Sequence, residues 1–267
     1  MSKVVFITGG SSGIGKSIGE FLSNKGYIVY GTSRNPDKCR DSAFTILQLD
    51  VKNISSIEKT VETILANEGR LDVLVNNAGV GITGPIEETP EIEIKANFET
   101  NFFGPINVIK SVLPQMRRQS DGLIINITSI AGYMGLPYRG IYSASKAALE
   151  IITESFRMEL KDFNIEMTNV APGDFATNIA AGRYHAPLIE GSPYEKPYGN
   201  TLEVMNTHVD TGSNPNMMAE AVFKIINTKK PKAHYKVGAF MQKFSIILKR
   251  FLPDKLYEKL LLNHYKL

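Results

Sequence analysis

Four consecutive apolar residues, Val4-Val5-Phe6-Ile7, run straight into Thr8-Gly9-Gly10-Ser11-Ser12-Gly13-Ile14-Gly15, and a helical pattern follows through Ile18, Phe21 and Leu22. An apolar run without alternation is a strand covered on both faces, which commits a chain to layers around a parallel sheet. A glycine-rich turn between such a strand and a helix lets backbone approach a ligand closely. The free N–H groups of the helix start then point at that ligand. This combination holds a pyrophosphate, so Gly9, Ser11, Ser12, Gly13, Ile14 and Gly15 are expected to line a dinucleotide site.

The same alternation continues along the chain. A second strand, Tyr27 to Thr32, ends at Ser33-Arg34, where a dinucleotide fold meets the adenosine ribose. An acidic residue there accepts from a free 2′-OH, whereas an arginine accommodates a 2′-phosphate. No Asp or Glu lies between Tyr27 and Arg34, so Ser33 and Arg34 favour NADP(H) over NAD(H). Further strands are expected at 45–49, 71–76, 123–128, 166–171 and 234–237. Between them, Asn53 is expected to cap a helix carrying Ile57, Val61 and Ile64, and Asn101 to open another. Pro114 should kink or stop that second helix. Without a composition break or long linker, residues 1–267 read as one domain, α/β and Rossmann-like: a doubly wound, mostly parallel seven-stranded sheet with helices on both faces.

Chemistry is signalled by Ser129, at the end of the run Leu123 to Thr128, and by Tyr142 and Lys146 thirteen and seventeen residues later. Residues four apart on a helix share a face, so the phenol and the ammonium can point at one spot. At about 4–5 Å and an effective dielectric of about 20, an ammonium favours a phenolate by roughly 3–4 kcal/mol. A phenol so placed can exchange a proton with an alcohol or carbonyl oxygen, which the Ser129 hydroxyl could also hold.

These motifs together resemble the short-chain dehydrogenase/reductase family, from Lys3 to about Thr177. Gly9-x-x-x-Gly13-x-Gly15 is similar to that family's glycine spacing. The resemblance implies that Ser129, Tyr142 and Lys146 are catalytic, with Asn101 completing a proton relay behind the lysine. It implies that Asp50 and Val51 flank the adenine and that Asn77, Ala78 and Gly79 pass the nicotinamide ribose. Tyr142 and Lys146 would also touch the cofactor, and Pro172, Gly173 and Thr177 would cover the nicotinamide. The expected reaction is NADP-dependent interconversion of a carbonyl compound and its alcohol. Two other readings share these residues: a catalytically silent nucleotide sensor or scaffold, and an NAD-dependent alcohol dehydrogenase or sugar-nucleotide epimerase or dehydratase.

The rest of the chain is read for substrate and partners. Tyr133, Met134, Leu136 and Phe175 are expected to line a lipophilic substrate cleft, and residues 178–214, rich in Pro and Gly, to form a loop-like lid. His185 and His208 within that lid read as ordinary loop residues, and no metal site is expected. The extension 239–267 resembles that of retinol- and hydroxysteroid-type relatives. Its stripe Phe240, Phe244, Ile247, Leu248 and Phe251 should roof the cleft or contact a membrane surface. Small residues at Ala147 and Ala148 would allow packing against another subunit, as in a homodimer or homotetramer. Net charge is +3, no nucleic-acid-binding motif is present, and the lone Cys39 excludes an internal disulfide, so a cytoplasmic enzyme without nucleic-acid partners is expected.

Overall fold

The computed structural model describes residues 2–39, 41–175, 182–210 and 212–267, with the side chains of 206–210 outside the description. Strands β1 (Val4–Ile7), β2 (Ile28–Ser33), β3 (Thr45–Gln48), β4 (Val73–Asn76), β6 (Gly122–Ile127), β7 (Ile165–Pro172) and β9 (His234–Val237) form one sheet. Their order is β3-β2-β1-β4-β6-β7-β9, and every neighbouring pair is parallel. The chain winds outward from β1 in one direction, then returns to lay β4 on its other side. That reversal opens a crevice at the carboxyl ends of β1 and β4, the place where such sheets bind ligands.

The apolar run of β1 divides between the two faces. Val4 and Phe6 pack with α2 (Ile54–Glu68) and α4 (Gly104–Gln119), through Ile57, Val61, Ile64, Val108 and Val112. Val5 and Ile7 pack with α1 (Gly13–Asn24) and α7 (Asn216–Ile226), through Ile18, Leu22, Met218 and Val222. Burying each such side chain stabilises the fold by about 1.5–3 kcal/mol, so the sheet is clamped symmetrically from both sides. Asn53 caps α2 as expected, accepting from the Ser56 N–H at 3.0 Å.

Three expectations are corrected here. Asn101 does not open a helix: α3 (Glu91–Phe98) passes through a π-helical turn, Glu99–Phe103, directly into α4. Pro114 does not stop α4, which continues to Gln119. The expected loop-like lid is structured: β8 (Tyr184–His185) pairs with β5 (Ile82–Thr83), and α6 (Glu195–Asp210) follows. Tyr198 anchors α6 by donating to the Thr83 carbonyl at 3.1 Å. His185 lies 3.1 Å from the Thr83 hydroxyl, while the His208 side chain and residue Thr177 fall outside the described residues.

The C-terminal extension is a helical pair, α8 (Phe240–Phe251) and α9 (Asp254–His264). The face of α8 turned inward carries Gln242, Ser245 and Ile246, with Leu248 alone of the expected stripe packed at its edge. Gln242 grips Asp174 and Ser245 meets the Met134 sulfur, and these polar contacts choose the face. The stripe is divided: Phe240, Ile247 and Phe251 are left exposed, at 72%, 50% and 77%, while Leu248 packs against the cluster of Ile130 and Met134.

Candidate active site

The glycine-rich turn after β1 takes its shape from residues no side chain could replace. Gly9 and Gly13 have φ of +66° and +54°, and a Cβ on Gly15 would lie 2.3 Å from the Gly9 carbonyl. Asn77 locks the turn by donating to the carbonyls of Thr8 and Gly9, both at 3.0 Å. Ser12 precedes α1 without a capping side-chain bond, so the first N–H groups of α1 remain turned to the crevice. Asn76, by contrast, is scaffold: it bonds Asn126 at 3.0 Å and ties β4 to β6.

Around this turn lies a cleft of about 530 Å³. Its walls include Gly9, Ser11, Ser12, Gly13, Ile14, Ser33, Arg34, Asp50, Val51, Asn77, Ala78, Gly79, Tyr142, Lys146 and Pro172. Gly15 packs beneath it. Gly173 and Ser129 lie instead in an adjoining chamber of about 70 Å³, and Tyr142 borders both spaces. The cleft fits a dinucleotide on this chain's own features: an uncapped helix start, glycines that leave backbone bare, and a guanidinium at the β2 end. Lys52, which also lines the cleft, carried no signal in the sequence beyond its neighbour Asp50.

Tyr142 and Lys146 sit on α5 (Gly140–Glu159), one turn apart and buried. The Lys146 ammonium is 6.0 Å from the Tyr142 ring centre and donates to the Ile127 carbonyl at 3.0 Å. Burial pulls its pKa below the usual lysine value, while Tyr142 and Glu150 act against that. Gly79 makes room for it: a Cβ there would stand 3.3 Å from the lysine nitrogen and 3.2 Å from Asn101 Oδ1. Asn101 clasps the Val80 backbone with both amide atoms, at 2.9 Å each, and donates to Ser145 at 3.2 Å. Its π-turn aims it there, as such turns commonly do at functional sites. Ser129 begins a 3₁₀ turn over Ile130–Tyr133, its hydroxyl accepting from the Ala131 N–H at 3.1 Å.

The expected substrate residues divide. Phe175 lines the smaller chamber, but Tyr133, Met134 and Leu136 do not. Tyr133 turns away to donate to Glu150 at 2.9 Å, and burial together with that carboxylate pushes its phenol pKa far up. Met134 is covered by α8 and α9, accepting from the Tyr257 hydroxyl, and Leu136 packs in the same cluster. The chamber is lined instead by Arg139, Asp174 and Arg183, with Gly81 and Ile82. Arg183 could not be found from sequence, because only the pairing of β8 with β5 brings it across the site.

Comparison with known proteins agrees with this geometry. A family profile described as short chain dehydrogenase matches residues 3–187. The chain is 40% identical over 257 residues to a 3-ketodihydrosphingosine reductase of Bacteroides thetaiotaomicron, covering 96% of this chain and 95% of that one. It is 31% identical over 277 residues to an NADPH-dependent 3-dehydrocapnine reductase of Ornithobacterium rhinotracheale, covering 97% and 96%. The crystal structure of a short-chain dehydrogenase from Streptomyces avermitilis superposes with a TM-score of 0.84 at 30% identity, over 99% and 97% of the two chains. With the glycine turn, the parallel sheet and the Tyr142–Lys146 pair in place, the chain belongs to the short-chain dehydrogenase/reductase family.

Proposed function

We propose that this protein is an NADPH-dependent reductase of a lipophilic ketone or aldehyde, working against a membrane surface. The observation that carries the reading is the convergence of Ser129, Tyr142 and Lys146 where the long cleft meets the small chamber. The chemistry that the nicotinamide supplies when bound is hydride transfer to the carbonyl carbon. Ser129 holds the carbonyl oxygen, and Tyr142 gives that oxygen its proton. Lys146 favours the phenolate left behind and bonds the nicotinamide ribose. Asn101 holds the Val80 backbone and Ser145, which keeps α5 and its lysine in register with the cleft. Gly9, Ser11, Ser12, Gly13 and Ile14 would cradle the pyrophosphate, Asp50 and Val51 would flank the adenine, and Arg34 would take the 2′-phosphate.

Reduction of a ketone is supported by the likeness to the two reductases. Lipophilicity is supported by the exposed apolar faces of α8 and α9, which carry Phe240, Met241, Ile247, Phe251, Leu256 and Leu260. Residues 240–267 hold six Lys or Arg against two Asp or Glu, while the rest of the chain holds 24 against 25. The whole positive surplus therefore sits beside this apolar face, the pattern of an interfacial helix on anionic lipid. No helix among the described residues is long and apolar enough to cross a membrane. Ile151 and Met158, exposed on α5, fit a homo-oligomeric contact.

The deciding experiment follows NADPH oxidation with carbonyl compounds of graded chain length. The wild type should turn over and Tyr142→Phe should lose roughly 10²–10⁴-fold, since the ring stays and the transferable proton goes. Near-normal turnover by that variant would overturn the mechanism.

A further inference from the structure

The small chamber beyond Tyr142 is not the apolar pocket its reaction partner would suggest. Of its eleven lining residues, Arg139 and Arg183 bring guanidinium groups, and Asp174 brings the one carboxylate. Arg183 lies across Gly81, where a Cβ would stand 2.9 Å from its Cγ and 3.2 Å from its Nε. A bare glycine thus lets the arginine stem run flat into the site. At its tip, Nη1 is buried and has no hydrogen-bond partner among the described residues. A buried charged donor left unpaired is costly, and native structures keep one where something else completes it.

Arg139 faces it from the start of α5, its guanidinium carbon 5.5 Å from the centre of the Tyr142 ring. The residue before it, Tyr138, has φ of +56°, a strained conformation for a side chain of that size. Its ring is held against Tyr198 of α6 at 5.2 Å and its carbonyl accepts from Gly84 at 2.9 Å, so the lid maintains the turn that aims Arg139. The Arg139 charge also bears on Tyr265, where it acts against the burial that raises that phenol's pKa. Asp174 offsets only part of this charge, acting on Arg183 against the burial and the Arg139 charge that lower its pKa. Its carboxylate is held by Gln242 Nε2 at 2.7 Å, and neither guanidinium forms an ion pair with it. Two guanidinium groups against one carboxylate leave the chamber with a net positive charge beside Ser129 and Tyr142.

We propose that Arg139 and Arg183 form an oxyanion subsite, so that the carbonyl substrate carries a carboxylate, sulfonate or phosphate a few bonds from the carbonyl. The subsite rests on the reductase reading given above and narrows its substrate to an anionic amphiphile. The guanidinium fork of Arg183 supplies paired donors to such a group, and its bare Nη1 is the donor the ligand satisfies. Held there, the ligand's remaining chain is anchored at one end and its carbonyl stands between Ser129 and Tyr142.

The test compares 3-oxooctanoate with its methyl ester, which differ in charge and hardly in size, with NADPH oxidation as readout. Wild type should prefer the acid in kcat/KM by about 10-fold or more. Arg183→Gln should erase most of that preference, a loss of roughly 10- to 150-fold in the acid-to-ester ratio. Arg183→Lys, which keeps the charge, should retain part of it and shows that the position tolerates change. An acid-to-ester ratio that is unchanged in Arg183→Gln, or an ester preferred by wild type, overturns the subsite while leaving the reductase reading intact. Should neither compound nor any neutral ketone be reduced, the reductase reading fails. Calorimetric titration of the NADP-saturated protein with 3-hydroxyoctanoate then decides the subsite separately. Binding in wild type that is lost in Arg183→Gln supports it, and binding equal in both, or absent from wild type, refutes it.

Discussion

Lys146 shows how a single residue trades stability for chemistry. Its ammonium is buried, and burial lowers its pKa from the ordinary 10.5. Between the lowered folded value and 10.5 the unfolded chain binds more protons, so the wild type gains stability as pH rises through that window. Below it, the full desolvation penalty is present. Lys146→Met fills the space without the charge, so at pH 7 its melting temperature should equal or exceed that of wild type, with the advantage shrinking towards pH 10. The same variant should lose turnover and NADPH affinity. Thermal melts across pH check this, and a lower melting point at pH 7 would contradict it. Arg34 makes the second prediction at this scale. A charge-assisted contact to a 2′-phosphate is worth about 1.5–3 kcal/mol, so Arg34→Ala should lose roughly 10- to 150-fold in NADPH affinity with little change towards NADH. Equal use of both cofactors by wild type would end the assignment.

Among the elements, α8 couples the C-terminal extension to the site through one side chain. Gln242 Oε1 accepts from the Asp174 N–H at 3.2 Å, and its amide donates to the Asp174 carboxylate at 2.7 Å. Gly173 is bare because a Cβ there would lie 2.0 Å from Gln242 Oε1. The segment after β7 and helix α8 are thus fitted to each other, and Ile246 and Tyr257 seal the contact over Ile130 and Met134. Gln242→Ala removes two hydrogen bonds, each worth about 0.5–1.5 kcal/mol, so it should lower stability by about 1–3 kcal/mol. It should also loosen Asp174 and raise KM for the carbonyl substrate more than it lowers kcat. Denaturant melts and steady-state kinetics check both parts. Unchanged KM would mean that α8 is only a cover.

For the whole molecule, the concentration of charge and apolar surface at one end makes a membrane prediction. The exposed Phe240 stacks on the half-buried Phe244 at 5.7 Å, and Phe251 stands exposed at the other end of α8. The protein should sediment with vesicles containing phosphatidylserine and be released as salt rises, since screening shortens the reach of its lysines to about 8 Å at physiological ionic strength. Phe240→Ser with Phe251→Ser should weaken sedimentation by about 10-fold or more and spare turnover of a short substrate. Equal sedimentation of wild type and this variant would discard the anchor.

The sequence by itself determined the sheet, the glycine turn and the pairing of Tyr142 with Lys146, because each is local. A doubly covered strand needs an unbroken apolar run, a φ near +60° needs glycine at Gly9 and Gly13, and a shared helix face needs a spacing of four. What surrounds the substrate was decided only in three dimensions. Tyr133, Met134 and Leu136 are apolar and close to Ser129 in the chain, yet the 3₁₀ turn swings them under α8 and α9. Arg183 is 41 residues from Tyr142 in sequence and reaches the chamber through the two-residue pairing of β5 with β8. The helical period also marked Phe240, Phe244, Ile247, Leu248 and Phe251 as the apolar stripe of α8, yet most of that stripe does not face in. Gln242 and Asp174, 68 residues apart, settle which side faces in, and a contact across that separation leaves no periodic trace in the chain.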